Sequence, residues 1–560
     1  MGKFKRLICF VFYLIILLNI QTVSAQSDNL IKGRVSDSLN NPLQGVTVEA
    51  KGENQFVVTD ANGFFTVSVK NLTTSVLDFS FIGYQAKEVA VAGNRFLNVV
   101  LSSTSATLSD VVVVGYGKQK RVNLTGAVAS VSGDQIANRP VTNISTALQG
   151  LLPGVAVIQQ SGQPGRDNGI IRVRGVGTMN DAAPMVVVDG IVSSMEDLNP
   201  NDIESVSVLK DASAGAIYGS RAANGVILVT TKRGKTGAPQ VNYNGYVGVQ
   251  KLTSMPEYLD SYDYAKLLNE GLKNEGQPAR YTDAELEKFR TGSDPVNYPN
   301  TDWIGLLYSG SGIQNSHNLS VAGGSDASKY LLSLGYLDQQ GLIQNTNSNR
   351  YNVRFNLDSK ISQLFSVGVT STLSRQNINE PAGVATRSGI GELIRQANRI
   401  PPTVLNKYPN GTWARHIDGN PIAWAEDGGL RSDIASHVLG DVFAELNLAK
   451  GLKLRGSAGV DYNMIDRTTQ LKDITYGDGS YQGPNSLTDL IGRSTRTILQ
   501  SLLTYNTSFG SHNLNVLLGT SRESFRYDED NAYRQDFPNN GLTELNAGAT
   551  LGMTNGGYSY

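Results

Sequence analysis

The sequence predicts a mainly β protein that contains an N-terminal β-sandwich, an α+β domain and part of a transmembrane antiparallel β-barrel. Three observations support this prediction. Short stretches of alternating apolar and polar residues recur along the chain, which is typical of strands with one buried face. Glycine and tyrosine are abundant, with 59 and 24 residues among 560, as expected for many strands and tight turns. After residue 25, no apolar run reaches the roughly 20 residues of a membrane-spanning helix.

Residues 1–25 have the organisation of a secretory signal peptide. A basic start precedes an apolar run over 7–20, and Val23-Ser24-Ala25 resembles a cleavage site. The apolar run is short for the alternative, a membrane-anchoring helix. The only cysteine, Cys9, lies in this segment, so the rest of the sequence depends on packed cores and hydrogen-bonded sheets and not on disulfides. The formal net charge of −1 gives no indication of a nucleic-acid partner.

Residues 29–103 are predicted to form a small β-sandwich. Ile31 to Val35 and Val46 to Ala50 alternate as strands do, and turn residues follow each stretch. The pattern resembles the carboxypeptidase-regulatory-like β-sandwich at the front of many exported Bacteroidetes proteins. Asp60 to Gly63 invites comparison with a calcium loop, but the remaining ligands of such a loop are missing, so we interpret it as a turn.

A run of four valines, Val111 to Val114, lies in a predicted linker over 104–121. β-Branched residues favour the extended backbone, and the glycines at 115 and 117 end the run. The small polar residues before it are typical of a flexible tether. The run therefore predicts a strand that is available for pairing with another protein. A buried strand of the following domain is the alternative.

Residues 122–236 combine strands with short helices, and residues 239–560 form longer alternating strands. We count about nine strands in the second region, joined by tight turns such as Ala449 to Gly451 on one side. Long polar connections, about Ser254–Ser311 and Arg375–His437, stand on the other side, and a capping box at Thr282 opens a helix in the first. This organisation favours an outer-membrane barrel, although an array of soluble β-sandwiches would also alternate. Because a barrel must close in lipid, we expect the chain to be incomplete.

One segment carries a specific resemblance. Between Ser205 and Gly234, the signature residues are Leu209, Lys210, Asp211, Ala212, Ile217, Tyr218, Gly219, Arg221, Asn224 and Gly225. Supporting motifs are Ile171-Arg172-Val173-Arg174-Gly175 and Val188-Asp189-Gly190. The pattern resembles the plug domain of the SusC/RagA class of TonB-dependent outer-membrane importers. Leu151 departs from it, since the class usually has a basic residue there. The resemblance covers the N-terminal portion of such a receptor, whose complete barrel has about 22 strands.

The resemblance implies a function in transport. Asp110, Val111, Val112, Val113, Val114, Gly115, Tyr116 and Gly117 would form the TonB box, which binds TonB with ExbB and ExbD as energy supply. The other implied partners are a SusD-like surface lipoprotein, outer-membrane lipid and an oligosaccharide or peptide ligand. The chain would lie in the outer membrane of a Gram-negative, Bacteroidetes-like cell, with its N-terminal domain and plug base facing the periplasm. A siderophore or cobalamin receptor, or a non-transporting surface adhesin or signalling receptor, is the alternative.

Two sets of residues are candidates for particular roles. Arg172 and Arg174 lie among apolar strand residues, so they need carboxylate partners in the plug or on the barrel wall and are candidates for a plug lock. Charge reversal at Arg174 should then loosen the plug. Trp303, Trp413 and Trp424 are candidates for stacking on sugars, and anchoring at the membrane interface or packing in loop cores is the alternative for them.

The sequence shows no enzyme motif. The histidines at 317, 416, 437 and 512 are scattered over predicted loops and strand ends without metal-ligand spacing. Gly234-Lys235-Thr236 imitates the end of a phosphate loop, but Val229 stands where that loop needs glycine. We therefore expect no catalytic residues, no cofactor and no metal.

Overall fold

The computed structural model describes residues 29–560 except 38–39, 54, 82–83, 103–110, 115–116, 121–127, 212–214, 385–386, 418 and 511. The chain divides into two compact units near residues 111–123. The predicted signal peptide lies outside the described residues, as do Asp110, Gly115, Tyr116 and Ala212.

The first unit is a β-sandwich, as predicted. Its strands are β1 (Leu30–Ser36), β2 (Thr47–Ala50), β3 (Gln55–Val58), β4 (Phe64–Ser68), β5 (Val76–Ser80), β6 (Lys87–Ala90) and β7 (Phe96–Val100). One sheet has the order β4-β1-β7 and the other β3-β2-β5-β6. Alternate side chains of these strands, such as Val48 and Phe79, are fully buried and form a separate core.

The suspected calcium segment is a turn between β3 and β4. The carboxylate of Asp60 accepts hydrogen bonds from the backbone N–H groups of Asn62 and Phe64, at 2.9 and 2.8 Å. Gly63 follows with φ +78°, a left-handed conformation that glycine adopts without steric cost. Local backbone donors therefore engage the carboxylate, which confirms our interpretation.

The valine run is extended. Strand β8 (Val111–Val114) pairs with β9 (Gly117–Lys120) in a two-stranded sheet. Each strand of a two-stranded sheet has one unpaired edge. Within the described residues, β8 thus has a partner on one side only.

Residues 128–231 form the α+β domain that the sequence predicts as a plug. Its elements are β10 (Val128–Ser132), α1 (Gly133–Ala137), α2 (Ile144–Ala147), β11 (Val155–Gln159), β12 (Gly169–Val173), β13 (Met185–Val188), β14 (Ile191–Val192), β15 (Ile203–Leu209) and β16 (Val226–Thr231), with 3-10 turns at Pro200–Asp202 and Ala216–Ala222. The main sheet has the order β10-β15-β16-β13-β14, and β11 pairs with β12. The apolar residues of β15 and β16 are buried on both faces of this sheet.

Ten antiparallel strands form a second large sheet, which we call the wall. They are β17 (Gly237–Val249), β18 (Ile313–Gly324), β19 (Ser328–Gln340), β20 (Asn347–Lys360), β21 (Phe365–Pro381), β24 (Gly429–Ala449), β25 (Leu452–Leu471), β28 (Ser486–Phe509), β29 (His512–Gln535) and β30 (Thr554–Ser559), paired in this order. Short turns join the strands at one end of the wall and long connections join them at the other. In outer-membrane barrels the short turns are periplasmic and the long loops extracellular.

The long connections contain the remaining elements. They are α3 (Ser261–Asn274), α4 (Asp283–Thr291), α5 (Trp303–Leu307), β22 (Gly383–Val384), β23 (Arg387–Ser388), α6 (Ile390–Ala397), α7 (Pro421–Glu426), β26 (Ile474–Thr475), β27 (Tyr481–Gln482) and a 3-10 turn at Leu545–Ala547. The predicted helix start is confirmed, because Thr282 caps α4 with a capping box to Glu285. Among the described residues, no helix is long and apolar enough to cross a bilayer.

The wall differs from the prediction in strand length. The predicted connection over 375–437 is too long, because β21 and β24 stay paired out to Pro381 and Leu430. Polar residues dominate both faces of these strand ends, so the apolar alternation that predicts strands stops before the hydrogen bonding does. Strand β30 was not predicted either, since its sequence, Thr-Asn-Gly-Gly-Tyr-Ser, has low strand propensity.

Candidate functional site

The inner face of β20 bears the clearest alternation in the wall. Tyr351, Val353 and Phe355 point outward and are 50, 37 and 39% exposed. The intervening Arg350 and Arg354 point to the opposite face and are 3 and 1% exposed. An apolar outer face with a polar inner face is typical of strands whose outside contacts lipid. The plug covers the inner face, so the interface between plug and wall is the candidate site.

Arg350 bonds the plug next to the start of helix α2. Its guanidinium donates to the carbonyl of Thr142 at 2.7 Å and to the carbonyl of Glu196 at 2.9 Å. The next inward side chain on β20, Asn352, donates to the carbonyl of Asp197 at 2.7 Å. These bonds engage backbone groups of the plug that would otherwise be buried without partners.

Arg354 forms a buried ion pair with the turn between β13 and β14. Its Nη2 lies 2.9 Å from Oδ2 of Asp189, and Arg354 also bonds the hydroxyl of Thr231. Asp189 and Gly190 both have positive φ, at +49° and +98°, as a two-residue type I′ hairpin requires. The Asp189 carboxylate additionally accepts from the N–H of Thr231 at 3.1 Å. The Val188-Asp189-Gly190 motif therefore supplies both the turn and the anion that binds the wall.

Two further polar contacts lie at opposite ends of the wall. Near the long connections, Arg166 of the plug lies 2.8 Å from Asp433 and 3.4 Å from Glu380. Near the short turns, Arg233 lies 3.0 Å from Asp358. The plug is thus bonded to the wall along the whole length of the inner face.

His437 of strand β24 lies between a carboxylate of the plug and a carboxylate of strand β25. Its Nδ1 lies 3.1 Å from Asp197 of the plug, and its Nε2 lies 2.9 Å from Asp461 of β25. Ionised carboxylates only accept hydrogen bonds, so an imidazole that bonds both of them donates from both nitrogens. Burial opposes the charge on Asp197, but the hydrogen bond and charge of His437 lower its pKa below the ordinary value.

Glu196 lies beside this contact, and its pKa is shifted in the opposite direction to that of Asp197. Burial raises the pKa of Glu196 to about 7, partly opposed by a hydrogen bond from the Ser145 hydroxyl at 2.8 Å, and the neighbouring Asp197 charge adds to the increase. A carboxyl with such a pKa changes its charge near neutral pH.

The two arginines predicted as plug locks have other partners. Arg174 lies 2.5 Å from Asp211, and Arg172 donates to the carbonyl of Ile171, so both bond within the plug. Asp211 lies two residues after the end of β15. Of the two predicted kinds of partner, Arg174 therefore has a carboxylate within the plug and not one on the wall, and Arg172 bonds a carbonyl of the plug. Arg166, Arg233 and Arg221 make the arginine contacts with wall carboxylates instead.

The described residues of the plug signature have structural roles. Leu209 is fully buried, Lys210 donates to the carbonyl of Pro153, and Asn224 donates to the carbonyl of Asp181. Ile217, Tyr218 and Gly219 lie in the 3-10 turn, with φ +66° at Gly219.

Arg221 pairs with Glu523 of β29 at 3.0 Å. At Gly225, a Cβ would lie 3.1 Å from Cγ1 of Val173. The signature thus shapes the end of the plug sheet.

The three tryptophans lie in the core of the long connections. Trp303, Trp413 and Trp424 are 4, 5 and 2% exposed and belong to one apolar cluster with residues of α5, α6 and α7. Their indole faces pack against protein, so the loop-core alternative describes them. Within the described residues, no group of histidine, cysteine and carboxylate side chains has the arrangement of a metal site.

Sequence comparisons agree with this architecture. The profile of the TonB-dependent Receptor Plug Domain matches residues 120–226, and that of the CarboxypepD_reg-like domain matches residues 31–114. The chain is 31% identical over 551 residues to TonB-dependent receptor P3 of Formosa agariphila, covering 96% of this chain and 52% of that protein. It is 30% identical over 535 residues to TonB-dependent receptor SusC of Bacteroides thetaiotaomicron, covering 88% of this chain and 50% of SusC.

A solved structure shares the fold. The RagAB peptide importer in its open-open state superposes with a TM-score of 0.66 at 25% identity, covering 80% of this chain and 53% of that one. The chain spans about half the length of the relatives that it matches along most of its sequence. A plug bonded to the inner face of a wall of barrel strands, preceded in the chain by a CarboxypepD_reg-like domain, defines a TonB-dependent receptor. Within these receptors, the chain belongs to the SusC/RagA class, as the sequence resemblance predicts.

Proposed function

We propose that this chain is part of an importer that moves oligosaccharides or peptides across the outer membrane. The observation that carries the proposal is the buried polar interface between the plug and the wall. Such an interface closes a pore and can be reopened, because its hydrogen bonds can be exchanged for bonds to water. SusC and the RagAB peptide importer, which this chain resembles, support transport as the activity. A SusD-like lipoprotein above the long connections is the proposed partner.

We infer that energy enters through β8 as the TonB box. An edge strand binds a partner by β-augmentation, and β8 has one unpaired edge within the described residues. At about 1 kcal/mol net for each backbone hydrogen bond, some five bonds give roughly 5 kcal/mol. Micromolar affinity requires about 8.2 kcal/mol, so side-chain packing by the valines would supply the difference.

Uptake by cells tests the proposal. The receptor, expressed from its complete reading frame together with the adjacent reading frames, is supplied with two fluorescent probes: oligosaccharides from starch and peptides from digested casein. We expect TonB-dependent uptake of one pool, and loss of that uptake when the receptor gene is deleted. Uptake of neither pool, with uptake of a ferric siderophore instead, would contradict the proposal and favour the siderophore-receptor alternative.

A further inference from the structure

The contacts between plug and wall are polar on some wall strands and apolar on others. Along β19 and β20 they are polar and buried, with Arg350 and Arg354 at their centre. Along β24, β25 and β28, between His437 and the short turns, they become apolar. There Ile191 of the plug packs in one cluster with Leu439 and Ile498 of the wall, and all three are buried.

Ile191 fits against a glycine of the wall. A Cβ at Gly459 of β25 would lie 2.7 Å from Cδ1 of Ile191 and 2.8 Å from Cγ2 of Ile498. Only glycine leaves room for the plug side chain at this position. Ile191 therefore packs against the backbone of β25 at Gly459, and we call this contact the seal.

A cavity begins directly beside this seal. It has a volume of about 690 Å³, and Ile191 and Ile498 border it. Its other walls include Ser457, Gln500 and Arg455, which follow Gly459 and Ile498 toward the short turns. The guanidinium of Arg455 is stacked 3.7 Å from the ring centroid of Phe443. The space is polar, charged and large enough for a sugar or an amino-acid residue.

The seal is carried by a short strand at the edge of the plug sheet. Strand β14 has two residues and pairs with β13 through Val187 with Val192 and Val188 with Ile191. One further bond joins the N–H of Ser193 to the carbonyl of Val186. Short edge elements with few hydrogen bonds open at lower free energy than central strands. Withdrawal of Ile191 would extend the cavity toward His437, the next contact of β24 with the plug, while Asp189 stays paired with Arg354 on β20.

We propose that cargo passes between β14 and the wall strands β24, β25 and β28, and that Ile191 is the gate of this path. The inference rests on the proposed transport function. On this path, the plug separates from β24, β25 and β28 and stays attached to β19 and β20. The polar cavity on the short-turn side is the site that receives cargo after the gate.

The first test needs no cargo. The 560 residues contain no cysteine after Cys9, so Ile191→Cys adds a thiol at the gate, and any cysteine elsewhere in the reading frame is first replaced by serine. A membrane-impermeant maleimide should modify the thiol at the gate about tenfold faster in cells with TonB than in cells without it, since labelling of a buried site follows the fraction of open protein. Val208→Cys, in the same core on the inner strand β15, is the matched control and should show no TonB dependence. Equal labelling in both strains, or equal acceleration at Val208→Cys, overturns the gate.

The second test fixes each side of the plug with a disulfide in the receptor expressed from its complete reading frame. The gate pair is Ile191→Cys with Gly459→Cys. The matched pair is Asn199→Cys with Gly335→Cys on β19, where a Cβ at Gly335 would lie 3.5 Å from Cγ of Asn199. We expect oxidation to abolish uptake of the fluorescent peptides or oligosaccharides only in the gate pair, and reduction to restore it. Each single-cysteine variant controls for folding.

The outcomes separate the gate from the transport function. Loss of uptake in both oxidised pairs means that the plug moves as a unit, and loss in neither means that this sector stays closed. Either result overturns the proposed path while leaving transport in place. If the unmodified receptor imports neither probe, the transport function fails, and the labelling test still decides whether Ile191 is exposed by TonB.

Discussion

Arg354 of the wall and Asp189 of the plug form an ion pair 2.9 Å long in which both side chains are almost completely buried, at 1 and 7% exposure. Asp189 occupies the tip of the β13–β14 hairpin, so this pair fixes the turn that precedes β14. Its environment distinguishes it from the exposed pairs on the plug, because a buried charge depends on its partner much more strongly than an exposed one does.

Arg354→Ala should loosen the plug. It leaves the Asp189 carboxylate buried without a counter-charge, which typically costs about 3–5 kcal/mol. The expected result is greater sensitivity of cells to vancomycin, which an intact outer membrane excludes. Arg174→Ala is the control, since its pair with Asp211 is half exposed and such pairs contribute about 0–1 kcal/mol. Equal vancomycin sensitivity in the two variants would contradict the importance of the buried pair.

Glu196→Gln should reduce the pH dependence of stability. The pKa of Glu196 is about 7 in the folded protein and 4.5 ordinarily, so its stabilising contribution is complete below pH 4.5 and is lost as pH rises through 7. The wild-type melting temperature should therefore be lower at pH 8 than at pH 5, and this difference should shrink in Glu196→Gln, measured by tryptophan fluorescence of the purified receptor. The exposed Glu257→Gln is the control. An unchanged pH dependence in Glu196→Gln would exclude this carboxyl as its source.

Val112→Pro or Val113→Pro should abolish uptake and leave ligand binding intact. Proline removes a backbone N–H from β8 and so interrupts the pairing that TonB would need. Uptake of the fluorescent probe and binding of the same probe by purified receptor are measured together. Ser105→Pro in the predicted linker controls for proline itself. Normal uptake by the valine variants would rule out the TonB-box assignment.

Trp424→Ala should destabilise the long connections. We do not expect it to remove a direct contact with a sugar. Trp424 is buried, donates from Nε1 to Gln482 at 2.9 Å, and truncation of such a side chain costs about 3–5 kcal/mol. Faster hydrogen exchange in α6 and α7 is the expected measurement, with the exposed Tyr481→Ala as control. Unchanged exchange combined with lost oligosaccharide binding would instead support the stacking role.

The sequence predicts local features of this protein better than contacts between its parts. The capping box at Thr282, the turn at Asp60 and the alternation of the wall strands all depend on neighbouring residues, and the structure has each of them. Alternation fails where polar residues dominate both faces of a strand, which is why the ends of β21 and β24 were assigned to a loop.

The plug interface could be predicted only in part. The alternation of β20 places Arg350 and Arg354 on its inner face, and arginines inside a barrel require partners. The identity of those partners depends on three-dimensional packing, because Thr142, Asp189 and Glu196 lie far away in sequence. The same holds for His437, which belongs to no motif in the sequence and lies between two carboxylates in the structure.

The positions of the long connections have an evolutionary consequence. They all leave the wall at one end, whereas Ile191 and the partners of Arg354 lie in the interior, among residues of strands and plug. Insertions and substitutions in these connections can therefore accumulate without touching the packing of Ile191 against Gly459. Surface segments can be exchanged between such receptors while the interior contacts of plug and wall are inherited unchanged.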